Sequence, residues 1–149
     1  MQNKYNILKN RYQIREMDSY LKTRLSDPSK VAHLFQECLK FLDDEREHFI
    51  SLSVDTKNQL KSIDIISIGS LNMSIVHPRE VFFIAVHNRA AAIIVGHNHP
   101  SGDPSPSQND IDITRKLSES GKILGIEMLD HIIFSHDKFI SLKEENLIY

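Results

Sequence analysis

Two histidines and one aspartate are spaced as ligands of a single metal ion. His97 and His99 follow an apolar run at residues 90–96, and Asp110 follows them after a loop. Alternate residues of a strand point to the same side, so both imidazoles can reach one point. The loop contains one glycine and three prolines, and a helical pattern from Ser107 brings the carboxylate back towards the histidines. Two imidazoles and a carboxylate are typical of a catalytic zinc site, in which one tetrahedral position stays open to water. We therefore expect one Zn²⁺ per chain.

These residues also form a recognisable motif. The pattern His97-x-His99, followed by Ser107 and Asp110, resembles the JAMM motif of the JAB/MPN metallohydrolases, and the string from His97 to Ser107 resembles their bacterial RadC-like branch. Weaker matches lie at residues 47–58, 77–80 and 129–133. The resemblance covers about residues 45 to 149. It implies an α/β fold, a three-layer α/β/α JAB/MPN-type domain with a mixed, curved sheet that is related in shape to cytidine deaminases.

A water molecule activated by a metal also needs a general base. The resemblance assigns this role to a glutamate upstream of the histidines, and the pattern Glu-x-Phe-x-x-Leu-x-x-Asp places it at Glu47. Glu45 and Glu80 are the alternatives. Glu45 belongs to an acidic run, which is usually solvated, and Glu80 lies in the first turn of a predicted helix, where the helix dipole explains a carboxylate.

Ser107 and Asp110 allow two interpretations. A Ser-x-x-Asp pattern before an apolar-periodic helix resembles a capping box, and capping alone would explain both residues. The resemblance implies instead that Asp110 binds the metal and that the Ser107 hydroxyl stabilises a developing oxyanion. The two interpretations are partly compatible, because a helix N-terminus favours the ionised carboxylate that binds metal.

Other residues near these motifs have less specific roles. We interpret His77 and His131, which lie in family-like strings, as structural or supporting residues rather than direct ligands. Asn98 points to the opposite side of the strand from the two histidines and is expected to fix the loop. Gly102 is expected to serve the backbone geometry, and Arg79 to be an ion-pair partner or an anion contact.

Hydrophobic periodicity predicts an alternation of helices and strands. The first predicted helix has Asp27 as its N-cap and Pro28 at its first position, and two more span residues 78–88 and 107–120, with Gly121 ending the last. The predicted strands are residues 49–54, their hairpin partner 59–68, the run 90–96, and 125–130, 131–135 and 139–142. This order implies a mixed sheet with helices on its faces.

Composition limits the domain organisation and the partners. A chain of 149 residues with 40% hydrophobic residues is most simply one domain, which we place at residues 26–149 after a basic arm at residues 1–25. The arm has six Lys or Arg against two acidic residues, and we interpret it as solvated or partly disordered. The net charge of -2 argues against a dedicated DNA binder, so we expect weak DNA binding or none.

The single cysteine, Cys38, excludes an intrachain disulfide and fits a reducing compartment. It lies on the apolar stripe of the first predicted helix and is expected to be a core residue. The chain shows no signal-peptide pattern and no apolar stretch long enough to cross a membrane, so we predict a cytoplasmic protein without membrane contact.

Three functions are compatible with these observations. The leading hypothesis is a zinc-dependent metallopeptidase with an unknown peptide or protein substrate. The alternatives are a metal-dependent DNA-processing protein, such as a nuclease, and a non-catalytic interaction module. Residues 1–44 lack the Gly-rich pattern of the helix-hairpin-helix segment in longer RadC-like proteins, so the chain resembles their short forms. The sequence leaves the oligomeric state open.

Overall fold

Six β-strands and three α-helices make up the described part of the chain, residues 12–69 and 76–148 of a computed structural model. The strands are β1 (Tyr12–Gln13), β2 (His48–Val54), β3 (Leu60–Ile68), β4 (Ala92–Asn98), β5 (Glu127–Phe134) and β6 (Phe139–Ser141). The helices are α1 (Pro28–Cys38), α2 (Pro78–His87) and α3 (Gln108–Leu124), and two short 3₁₀ helices span Arg15–Tyr20 and Leu39–Phe41.

The strands form one mixed sheet in the order β1-β3-β2-β4-β5-β6. Strands β4 and β5 are parallel and joined through α3, as a parallel pair needs a crossover, whereas all other neighbouring pairs are antiparallel. Strand β4 is central and buried along its whole length, which agrees with its uncharged sequence. The predicted mixed sheet is confirmed.

Helices cover both faces of this sheet. Phe35 of α1 packs with Ile50 and Leu52 of β2 in one core cluster, and Phe49 packs with Leu117 of α3 in a second cluster on the opposite face. The alternation of β2 therefore divides its side chains between two apolar layers. The domain has the three-layer α/β/α architecture that the resemblance implied.

Several predicted boundaries differ by one or two residues from the structure, including the strand predicted at 90–96, which is β4, and two other predictions were wrong in kind. Helix α3 continues past Gly121 to Leu124 and is capped by Gly125 in the left-handed conformation, with φ of 73°. Gly121 serves packing instead, because a Cβ there would overlap the carbonyl oxygen of Ile126. The predicted strands 125–130 and 131–135 are one strand, β5, in which a register shift against β4 leaves Leu129 as an extra residue.

The N-terminal part of the domain shows how α1 is positioned. Asp27 caps α1 by accepting a hydrogen bond from the Ser29 amide at 2.9 Å, as predicted. Cys38 is fully buried, which confirms its place in the core, and burial raises the pKa of its thiol to about 12. Ile14 and Met17 are also buried in this core, although they belong to the segment predicted as a basic arm.

The first eleven residues of that predicted arm lie outside the described residues, and the division of the chain at residue 25 stays a prediction. Within residues 12–69 and 76–148, none of the helices combines the length and the apolar character that crossing a membrane requires.

Candidate metal centre

Strand β4 and helix α3 bring three possible ligand atoms together. The Nε2 atoms of His97 and His99 are 3.0 Å apart, and they lie 3.2 and 3.3 Å from the two carboxylate oxygens of Asp110. A tetrahedral zinc ion with bonds of about 2.0–2.1 Å sets its ligand atoms about 3.3 Å apart. The three groups are thus spaced to hold one ion of this size.

The loop after β4 sets the direction of His99. The backbone amide of His99 donates to the carbonyl of Phe134 in β5 at 2.9 Å, so the ladder extends one residue past the end of β4. A turn follows, in which the Gly102 amide donates to the His99 carbonyl and Gly102 has φ of 89°. This conformation confirms the predicted backbone role of Gly102. The Nδ1–H of His99 donates to the Asp103 carbonyl at 2.8 Å, which directs Nε2 towards the cluster.

Asp110 is a capping residue and a member of the cluster at the same time. Its amide donates to the Ser107 Oγ at 3.1 Å, and its Oδ2 accepts from the Ser107 amide at 2.9 Å, which completes the capping box. Both carboxylate oxygens also face the histidines. The capping bond uses only a lone pair of the Ser107 hydroxyl, so its hydrogen is left to donate elsewhere.

The electrostatics of the cluster favour a cation. Burial raises the pKa of Asp110, but the hydrogen bonds that its carboxylate accepts from His97 and His99 in their charged forms outweigh this effect, and the net pKa lies well below the usual range. Burial lowers the pKa of His99. Its hydrogen bonds to Asp110 and to the Asp103 carbonyl raise this pKa by more than burial lowers it, so the net pKa is above the usual value. His97 is buried, whereas the side chains of His99 and Asp110 are 14% and 16% exposed. The cluster is therefore partly exposed to solvent, through His99 and Asp110.

Glu47 lies next to this cluster. It directly precedes β2, in which Phe49 pairs with His97 and the two rings stack at 5.9 Å. Because Glu47 is two residues before Phe49, it continues the same face of the sheet, opposite His99. The Glu47 carboxylate is near enough to His99 to help raise its pKa. Glu47 therefore lies within electrostatic range of His99, just before the strand that pairs with β4.

Asn98 holds the backbone on both sides of Glu47. Its Oδ1 accepts from the His48 amide at 2.8 Å, and its Nδ2 donates to the Arg46 carbonyl at 2.9 Å. The side chain that separates the two candidate ligands along β4 therefore fixes the segment that carries Glu47. The sequence indicated an anchoring role for Asn98, but the anchored segment is the start of β2 rather than the loop after β4.

Two residues behind the ligands form a buried network. The Nδ1 of His97 lies 2.8 Å from the Nε2 of His131, and the Nδ1 of His131 lies 2.6 Å from the Thr114 hydroxyl. Burial lowers the pKa of His131 well below its usual value. The sequence analysis placed His131 among supporting residues but missed Thr114. The sequence did indicate Thr114, because this residue lies one helical turn after Asp110 and therefore on the same face of the helix.

The remaining candidates lie outside the cluster. His77 is the N-cap residue of α2 without a side-chain capping bond, and Arg79 and Glu80 are exposed in the first turn of that helix. Glu45 is exposed in the segment before β2. In the described ranges, the group of side chains that could hold a metal ion comprises His97, His99 and Asp110 alone, so none of these four residues contributes to it.

These features define the class of protein: an α/β/α domain with a candidate metal site between the central strand β4 and the start of α3. The family model described as RadC-like JAB domain matches residues 25–147, and the chain belongs to this family.

Curated relatives are similar over most of this chain. A UPF0758 protein of Desulfitobacterium hafniense is 50% identical over 131 residues, which are 88% of this chain and 57% of the relative. UPF0758 proteins of Moorella thermoacetica and Methanosarcina mazei are 54% and 50% identical over 127 residues, covering 85% of this chain and 55% of each relative. The chain thus spans little more than half the length of these relatives, and their names state no activity.

Proposed function

We propose that this chain is a zinc-dependent hydrolase of peptide or isopeptide bonds. The observation that carries the proposal is the convergence of two imidazole nitrogens and a carboxylate at 3.0 to 3.3 Å, with His99 and Asp110 partly exposed to solvent. Three protein ligands with an accessible fourth position are typical of catalytic zinc sites, whereas structural sites are closed by four ligands.

His97, His99 and Asp110 would hold the metal in this proposal. A zinc ion supplies a Lewis acid there, which lowers the pKa of water from about 15.7 to about 7 and polarises a carbonyl group. Asp110 is ionised throughout the neutral range, as a carboxylate that binds a metal has to be. Other late transition metals also bind such ligands, so the metal content has to be measured in protein purified without added metal.

Glu47 is the proposed general base. Its position beside His99 allows the carboxylate to take a proton from the attacking water and to deliver it to the leaving amine as the carbon–nitrogen bond breaks. Ser107 is the proposed oxyanion donor, since its hydroxyl hydrogen is not used in the capping box and its side chain is exposed at the site. For the substrate, we propose only this class of bond and no particular peptide or protein.

The test is the cleavage of peptides by zinc-loaded protein. A library of peptides, including lysines acylated on the ε-amine, is incubated with the protein, and mass spectrometry detects the new amines. We expect cleavage by the wild type and a loss of roughly 10²-fold to 10⁴-fold in rate for Glu47→Gln, because one general base contributes about that much. Glu47→Gln should keep one zinc ion per chain, since Glu47 is not one of the three ligands.

Glu45→Gln and Glu80→Gln are matched controls, because each removes one exposed carboxylate outside the cluster. Both should cleave at the wild-type rate. Cleavage by Glu47→Gln at that rate would remove Glu47 from the mechanism. A zinc-loaded wild type that cleaves no member of the library would contradict the proposed bond class.

A further inference from the structure

A chain of hydrogen bonds runs behind the candidate metal site. From the Nδ1 of His97 it passes to His131 at 2.8 Å and from there to the Thr114 hydroxyl at 2.6 Å. The Thr114 hydroxyl donates to the carbonyl of Asp110 at 2.5 Å. The chain that begins at one candidate ligand therefore ends on the backbone of another.

The direction of every hydrogen bond in this chain is determined by its last acceptor, the carbonyl oxygen of Asp110. A carbonyl oxygen can only accept, so the single hydroxyl hydrogen of Thr114 must point at Asp110. The hydroxyl then accepts from His131, which must carry its hydrogen on Nδ1. His131 Nε2 is consequently an acceptor, and His97 must donate to it from Nδ1. The hydrogen of neutral His97 is thereby placed on Nδ1, and its Nε2 presents a lone pair to the cluster.

The fold holds this chain away from competing water. His131 and Thr114 are both fully buried, so neither can exchange its partner for solvent. The extra residue Leu129 shifts the alternation of side chains along β5, and His131 is therefore paired with Val95 of β4. Val95 is two residues before His97, so His131 lies on the same face of the sheet as His97 and faces α3. A strictly alternating strand would have turned His131 to the α1 side of the sheet.

We infer that His131 and Thr114 are positioning residues that hold His97 in the Nδ1–H tautomer, so that its Nε2 is free to bind a metal ion. His99 is held in the same state by the Asp103 carbonyl, without help from a second side chain. The inference rests on the proposed metal site and assigns to two buried residues a role in metal affinity. Without the Thr114 acceptor, His131 can carry its hydrogen on Nε2, and His97 then receives its own hydrogen on the metal-binding nitrogen.

The first measurement is zinc affinity by competition with a chelator. Thr114→Val keeps the shape of the side chain but removes the hydroxyl, and we expect zinc to bind roughly 10-fold to 100-fold more weakly. Thr114→Ser restores a hydroxyl and should bind zinc within about threefold of the wild type, a smaller loss than the 10-fold to 100-fold range expected for Thr114→Val. Leu117→Ala is the control for stability, since it removes buried apolar contacts of α3 but no hydrogen bond. It should unfold more easily and yet bind zinc as tightly as the wild type.

The second measurement reads the tautomers in metal-free protein. Long-range nitrogen–proton NMR at a pH where the imidazoles are neutral should show His97 and His131 with hydrogen on Nδ1, and a shift of His97 towards Nε2–H in Thr114→Val. The inference is wrong if His131 carries its hydrogen on Nε2 in the wild type, or if Thr114→Val changes neither the tautomer nor the affinity. Absence of zinc binding by the wild type would contradict the proposed function. The tautomers are read in metal-free protein, so they would still show the direction of these hydrogen bonds.

Discussion

Two variants at the ends of the capping box separate the structural role of Asp110 from its proposed role as a ligand. Asp110→Asn keeps an amide oxygen that can accept from the Ser107 amide, but it removes the charge that faces both histidines. Ser107→Ala removes the oxygen that accepts from the Asp110 amide and leaves the carboxylate in place. The first change should impair metal binding, and the second should weaken the start of α3 but leave metal binding intact.

The expected sizes differ enough to be measured. Loss of the Ser107 cap costs about 1 kcal/mol, which lowers the melting temperature of a domain of this size by roughly 2–4 °C. Zinc at 100 times its dissociation constant stabilises the folded state by about 2.7 kcal/mol and raises the melting temperature by roughly 5–11 °C. If Asp110→Asn weakens zinc binding by about 100-fold, the same zinc concentration stabilises that variant by only about 0.4 kcal/mol.

The assay is thermal unfolding followed by circular dichroism, with and without zinc, together with elemental analysis of the purified proteins. Ser107→Ala should melt at a lower temperature in both conditions, and zinc should raise its melting temperature by as much as it raises that of the wild type. Asp110→Asn should lose most of that increment. Retention of the full increment by Asp110→Asn, or its loss in Ser107→Ala, would refute the division of roles derived from the two sets of hydrogen bonds.

Three further predictions concern residues of the domain other than the candidate ligands. Asn98→Ala should lower the free energy of unfolding by about 1–3 kcal/mol, because two backbone groups that flank Glu47 lose their partners, and amide exchange should quicken there; unchanged exchange would contradict the anchoring role. Gly96→Ala should cost about 1–3 kcal/mol in denaturant unfolding, since the added Cβ would lie 2.7 Å from the Phe35 ring, and a neutral result would show that the ring can move. Between about pH 9.5 and 11.5, the wild type should lose about 1.4 kcal/mol of stability per pH unit relative to Cys38→Ala, because the unfolded thiol loses its proton near pH 8.5. The buried thiol keeps its proton up to about pH 12, so parallel stability curves of the two proteins would refute this.

Most of the candidate ligand set could be predicted from the sequence because the relevant geometry is local. His97 and His99 share a face through strand alternation alone, and Ser107 with Asp110 forms a cap that depends on four consecutive residues. The buried run before His97 indicated a central strand, and the order of helices and strands indicated a mixed sheet. Such patterns depend only on short-range periodicity, which the amino-acid sequence shows directly.

Other features required the tertiary structure. The placement of Glu47 beside His99 depends on the register between β2 and β4, which joins residues about fifty positions apart. Gly121 looked like a helix end, but α3 continues past it, and a Cβ there would lie 3.3 Å from the ring of Phe82 in α2. The contact of His131 with His97 depends on the extra residue in β5. Sheet register, strand bulges and interhelical packing are set by contacts between distant residues, and no local pattern in the sequence encodes them.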